Sequence, residues 1–166
     1  TMPRPPIWYL QKIDLFADLS EEEMMNLING IEHCEYPAKH LLYTPDEQVE
    51  STYILKEGEV TLYQSVDGKK VIVDILKPGS IFGNIGLEPT DDNGVYAETS
   101  QQAFICTLPQ DFFVQMMQRN PQVAARAFKL LTKRIAQYQS QLRFLSVLNA
   151  RDRILATIKL LDCLLY

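Results

Sequence analysis

From Pro121 to the last residue the chain contains neither glycine nor proline, and its apolar side chains fall into a fixed step. Ala124, Phe128, Leu131, Ile135, Tyr138, Leu142, Leu145 and Asn149 follow one another at alternating spacings of four and three. Those eight positions form the a/d seam of a two-stranded coiled coil. Asn120 and Pro121 open the helix, Asn at the cap and Pro at the first helical position. Pro121 to Leu148 would span on the order of 42 Å at 1.5 Å per residue, and the helix from Asn120 to Leu148 is read as both dimer seam and signal lever. A chain of 166 residues offers such a helix little to bury against. The ridge therefore predicts a homodimer, with Ala124, Phe128, Leu131, Ile135, Tyr138, Leu142 and Leu145 at its interface. A second apolar set, Ala127, Leu130, Phe144 and Val147, is expected to pack on the rest of the same chain.

Ahead of that helix the period is different. Ser20-Glu21-Glu22-Glu23 reads as a capping box, opening a short helix with Met24, Leu27 and Ile28 on one face and Gly30 as a left-handed stop. From Ile31 to about Leu108 the chain breaks into short strands. Tyr53-Ile54-Leu55, Val60-Thr61-Leu62-Tyr63, the alternating Val71, Val73 and Ile75, Ile81-Phe82-Gly83, Tyr96 to Thr99 and Ala103 to Leu108 are separated by turn signals. Asp67-Gly68 is a hairpin turn in which both residues take positive φ, and Pro78-Gly79 marks another. Strands this short and this evenly spaced predict a sandwich or jelly roll. A short helix from Asp111 to Gln118 precedes the long one.

Charge is divided along the chain. Up to Gln118 there are seven Lys and Arg against nineteen Asp and Glu; from Arg119 to Lys159 there are nine against one acid, Asp152. A basic back half of this kind can mark an end that faces nucleic acid, or simply keep a long helix soluble. No apolar run reaches the roughly 18 residues of a membrane span, and Thr1 to Tyr9 lacks the apolar centre of a signal peptide, so no membrane partner is expected. Cys34, Cys106 and Cys163 are odd in number and far apart, which suggests free thiols in a reducing cytoplasm.

The order of these segments resembles the cyclic AMP receptor protein and fumarate-nitrate regulator family of transcription regulators. The resemblance rests on Leu15-Phe16 with Leu19-Ser20, Tyr53-Ile54-Leu55-Lys56-Glu57-Gly58-Glu59-Val60, Leu76-Lys77-Pro78-Gly79-Ser80-Ile81-Phe82-Gly83 and Ala150-Arg151-Asp152-Arg153-Ile154-Leu155. It implies a mostly β fold with α: a double-stranded β-helix, jelly-roll and cyclic-nucleotide-binding-like, followed by a long dimerisation helix. The chain then divides into an effector-sensing β-roll over 1–118, a dimerisation helix over 119–149, and over 150–166 the start of a DNA-binding domain whose helix-turn-helix is missing. Asn149 and Asp152 are read as the cap of that further helix, which carries Ile154, Leu155, Ile158, Leu161 and Leu165, and the natural protein is expected to continue. Binding of a small-molecule effector would move the helix pair and re-aim a reading helix in the DNA major groove.

Members of the family that bind cyclic nucleotides hold the ribose with a Gly-Glu pair and the phosphate with an Arg that precedes Ser or Thr. A planar guanidinium fork suits phosphate oxygens, and a carboxylate accepts from a 2′-hydroxyl. Here the cassette reads Gly83-Asn84-Ile85-Gly86-Leu87, with Asn in place of Glu, and the Arg position falls on Asn93-Gly94. No Arg occurs between Arg4 and Arg119. An unpaired phosphate in a partly buried pocket costs several kcal/mol, so cyclic AMP is disfavoured. The effector is left unidentified, with Gly83, Asn84, Ile85, Gly86, Leu87, Asn93 and Tyr96 as pocket candidates on the roll and Tyr138 and Gln139 on the long helix. Lys69 and Lys70, beside the hairpin turn, are expected to point to solvent.

Iron–sulfur ligation, which needs four clustered thiolates, is disfavoured by three scattered ones. Haem is disfavoured because the cassette carries no His. His33 and His40 are read as surface residues, and His33 and Cys34, adjacent on a strand, point to opposite faces. An enzyme of the double-stranded β-helix type would need two or three His and a carboxylate on one metal, and no nucleophile or phosphate-loop motif occurs. The chain is therefore read as a non-enzyme. The alternatives are a regulatory domain of a kinase or channel, which would lack the heptad helix, and a haem or redox sensor.

Overall fold

The computed structural model describes residues 10–85 and 94–165. Gly86, Leu87 and Asn93 lie outside the described residues, as does the side chain of Cys163. Eight strands form two four-stranded antiparallel sheets: β1 (Glu32–Tyr36), β2 (Leu41–Tyr43), β3 (Ser51–Glu57), β4 (Val60–Val66), β5 (Lys69–Leu76), β6 (Ile81–Gly83), β7 (Tyr96–Thr99) and β8 (Ala103–Pro109). One sheet has the order β1-β8-β3-β6 and the other β2-β7-β4-β5. Their inner faces meet in a core of Tyr43, Val49, Leu55, Val60, Leu62, Leu76, Phe82, Ala97, Ala103 and Ile105. The jelly roll and the long helix expected from the strand and heptad patterns are both present.

Local chemistry explains the connections. The β4–β5 hairpin turns through Asp67 at φ 51° and Gly68 at φ 73°, the two positive values that a tight hairpin matching strand twist requires. Gly58 closes the β3–β4 turn at φ 86°, with the Gln102 carbonyl oxygen only 2.1 Å from where a Cβ would stand. Beside it Glu59 bonds both Lys77 and Ser100, so three loops are tied at one corner.

Among the described residues three long helices accompany the sheets: α1 (Glu21–Gly30), α2 (Gln110–Arg119) and α3 (Pro121–Leu165). Both halves of the Ser20 and Glu23 capping box are formed. Two details differ from expectation. Gly30 is not left-handed, since α1 passes directly into extended Ile31. Its missing side chain instead makes room for Phe112, whose ring lies 2.5–2.8 Å from the position a Cβ would take. Asn120 does not simply cap forwards, because its side-chain amide turns back to the Met116 carbonyl of α2 (3.3 Å) while its backbone carbonyl starts α3.

The chain separates into two compact units, one ending at Ala127 and the other running from Phe128. The first two turns of α3 belong to the roll's unit, with Val123 and Ala127 buried. Arg126 fixes them there: Nη1 bonds Asp14, and Nε and Nη2 bond Asp18, at 2.6–2.9 Å. The second unit is the rest of α3, and the helix is unbroken through Asn149, so no cap divides it there. Phe144 and Val147 are 65% and 66% exposed.

Candidate functional site

The cassette that leaves β6 is held by β3. Gly83 has φ 79°, and a Cβ there would sit 2.5 Å from the Tyr53 ring and 2.7 Å from the Ser51 carbonyl oxygen. Only glycine fits both the backbone conformation and the space. Asn84 N–H then donates to that same Ser51 oxygen (3.0 Å), and the Thr52 hydroxyl donates to the Asn84 carbonyl (2.6 Å). Asn84 is buried and Ile85 half-buried. The strand that pairs with β6 thus sets the start of the loop where sequence places the pocket. A neutral carboxamide occupies its first side-chain position.

Tyr53, Tyr43 and Phe82 fill the roll next to this loop, with Tyr53 stacked on both partners at ring separations of 5.9 and 5.2 Å. Burial, with Glu47 nearby as the lesser cause, pushes the Tyr53 phenol above its ordinary pKa. It stays a neutral donor at neutral pH.

Tyr96 sits elsewhere. Val95 and Ala97, its neighbours on β7, pack into the core, so strand alternation turns Tyr96 to the opposite face. There it stacks on Tyr63 at 4.9 Å with rings 8° from parallel. Lys70 stands 3.9 Å from the Tyr63 ring centre and pairs with Glu98 at 2.8 Å. That lysine is exposed, as expected, but it is tied to the outer sheet face. Tyr138 and Gln139 belong to the helix unit, Tyr138 half-buried and Gln139 exposed.

His33 was read as a surface residue, and the structure corrects this. It is 4% exposed, in register with Cys106 of β8, which in turn pairs with Ile54 of β3. Ile54 and Cys106 in this row are both fully buried. Cys106 Sγ is 3.2 Å from His33 Nδ1. His33 Nε2 is buried with no hydrogen-bond partner among the described residues. A charged ring would leave an N–H⁺ unpaired there. Burial first, and the Lys56 charge second, hold the imidazole pKa at about 4, and burial pushes the Cys106 thiol up to about 12. Both groups are neutral at pH 7, so they form no thiolate–imidazolium couple of the kind a nucleophilic cysteine requires. A signal was available in sequence: Ile31 and His33 share one strand face, and Ile31 is plainly a core residue. Cys34 lies opposite Ile105 of the roll's core, so His33 and Cys34 do face apart. His40 stacks on Tyr36 at 4.7 Å. Among the described residues no three His, Cys, Asp or Glu side chains gather to hold a metal ion.

The profile of the cyclic nucleotide-binding domain matches residues 33–120. The cAMP-activated global transcriptional regulator CRP of Pasteurella multocida is 29% identical over 133 residues, covering 77% of this chain and 64% of that protein. The cyclic AMP receptor protein of Thermus thermophilus is 25% identical over 149 residues, covering 89% of this chain and 69% of that one. The chain thus spans about two-thirds of the length of these relatives. Among solved structures, a CooA mutant from Carboxydothermus hydrogenoformans superposes with a TM-score of 0.68 at 20% identity, over 87% of this chain and 90% of that one.

Proposed function

Because the chain belongs to the cyclic nucleotide-binding domain family, we propose that it is the effector-sensing and dimerisation part of a DNA-binding transcription regulator of the cyclic AMP receptor type. One observation carries this reading. Phe128, Ile135, Leu142 and Leu145 of the heptad ridge are 54–70% exposed in the single chain. An apolar ridge repeated over several heptads is covered by an identical ridge in a parallel dimer. A regulatory domain of a kinase or channel would leave it unexplained. The long helix is then both dimer seam and lever, and the protein works in the cytoplasm on DNA through a reading element outside this chain.

The phase of the helix supports a division near residue 149 even without a break. Ile154 follows Leu145 by nine residues, about 900° of rotation, and so lies about half a turn away from the seam. Ile158 and Leu161 fall within about 40° of the same opposite side. All three are exposed. A partner that zips the first stripe cannot also cover the second, so residues 150–165 answer to a different body.

The effector pocket is placed at the cassette from Gly83 onwards. Asn84 can offer hydrogen bonds but no charge, and no Arg occurs between Arg4 and Arg119 to clamp a phosphate from the strands. The effector is therefore a small molecule bound without a guanidinium–phosphate pair. Native mass spectrometry of the purified protein, with and without added cyclic AMP, tests this. A retained mass other than cyclic AMP is expected. Stoichiometric cyclic AMP, with a rise of several degrees in Tm, would refute it.

A further inference from the structure

Away from the roll's interior, a cleft of about 110 Å³ opens between α1 and α2. The two helices touch at one end, where Gly30 admits the Phe112 ring. Its floor is apolar: Leu27 and Met116 are buried and Phe112 is half-buried. Its rim carries opposite charges, Glu23 from α1 and Arg119 from α2, with Asn120 between them and α3. Arg119 makes no ion pair or hydrogen bond among the described residues, in contrast to Arg126, which is bonded to two aspartates. Glu23 commits one carboxylate oxygen to its cap. Asn120 is 8% exposed and lines the cleft, its amide nitrogen donating to the Met116 carbonyl.

We propose that this cleft binds a small α-amino acid with a short apolar side chain, of the size of L-alanine. The volume equals about four waters of bulk liquid, or a solute of about six heavy atoms. The guanidinium of Arg119 takes the carboxylate, for which its planar fork is suited. The free oxygen of Glu23 and the Asn120 side-chain oxygen accept from the ammonium. The methyl group rests on Leu27 and Met116. A site this small and open binds in the millimolar range. It is separate from the effector pocket of the roll and does not depend on the reading given for that pocket.

The test is a titration of the ¹⁵N-labelled chain with L-alanine, followed by amide shifts, with acetate and ethylamine as probes that each carry one of the two charges. Saturable shifts around Glu23, Asn26, Gln115 and Arg119 are expected with L-alanine and much weaker ones with either half-ligand. Arg119→Gln should weaken binding at least about tenfold. Glu23→Gln should do likewise while keeping the capping box, since Gln also serves at that position. No saturable shift overturns the proposal. Equal shifts with acetate overturn it too, by reducing the cleft to an anion site at Arg119. So does unchanged affinity in Glu23→Gln, whose fold is verified by the overlay of its remaining amides.

Discussion

Replacing His33 by Leu should remove a specific acid sensitivity from the fold. His33 is buried beside Cys106, and its Nε2 has no partner among the described residues. Protonation would place a charge there with nothing to receive it and Lys56 near enough to repel it. The folded-state pKa is about 4 against 6.5 for a free imidazole. Between these values the unfolded chain binds more protons than the folded one, so stability rises with pH across that window and falls as pH drops through it. At neutral pH both states are deprotonated and the group contributes no pH dependence. A gap of about 2.5 pH units corresponds to about 3 kcal/mol by the time pH 4 is reached. That is a large share of the ~5–15 kcal/mol of a whole domain. Unfolding free energies from urea melts of the wild type and His33→Leu, measured between neutral pH and pH 4, should diverge by that amount in the variant's favour. The thiol that loses its partner is a weak hydrogen-bonding group, so the offset at pH 7 should be small. Parallel curves for the two proteins, or an NMR titration of the His33 ring near pH 6.5, would refute the reasoning.

Arg126→Ala removes three bonds that hold the start of α3 to Asp14 and Asp18. Because both carboxylates are more than half exposed, the loss should be small and should shrink in high salt, as urea melts at two ionic strengths will show. Gly83→Ala combines a φ of 79° with clashes against a backbone oxygen and a packed ring; about 3 kcal/mol is expected from thermal or urea melts. Gly30→Ala meets only the half-buried Phe112 ring, which can swing aside, so a loss of about 1 kcal/mol is expected in the same measurement.

The fold was legible where local chemistry decides it. The Asp67-Gly68 turn, the Ser20 capping box and the strand alternation all act over a few residues, and each appears where the sequence places it. What depends on distant neighbours was harder to read. Gly30 looks like a helix stop in sequence, but the ring of Phe112, far along the chain, is what requires its lack of a side chain. His33 looks polar and therefore external, yet its ring is buried beside Cys106 of β8. Phe144 and Val147 have the spacing of a packed face, yet spacing does not say whether the packing partner is in the same chain. For the candidate site, the Gly83-Asn84 cassette was evident from the motif and its missing charges. The outward turn of Tyr96 was set by Val95 and Ala97, whose side of the strand the motif does not report. The cleft between α1 and α2 has no sequence motif at all, since it arises from how closely two helices approach.

Sedimentation equilibrium of the wild type and Ile135→Asp asks whether the heptad ridge is a dimer seam. Ile135 is 54% exposed in the single chain, so an aspartate there costs a monomer little, while at a paired seam it buries charge facing charge. A paired ridge puts the wild type at twice the chain mass of 19.1 kDa and the variant at that mass, with its near-UV circular dichroism unchanged. A monomeric wild type, or a variant that remains dimeric, would contradict it.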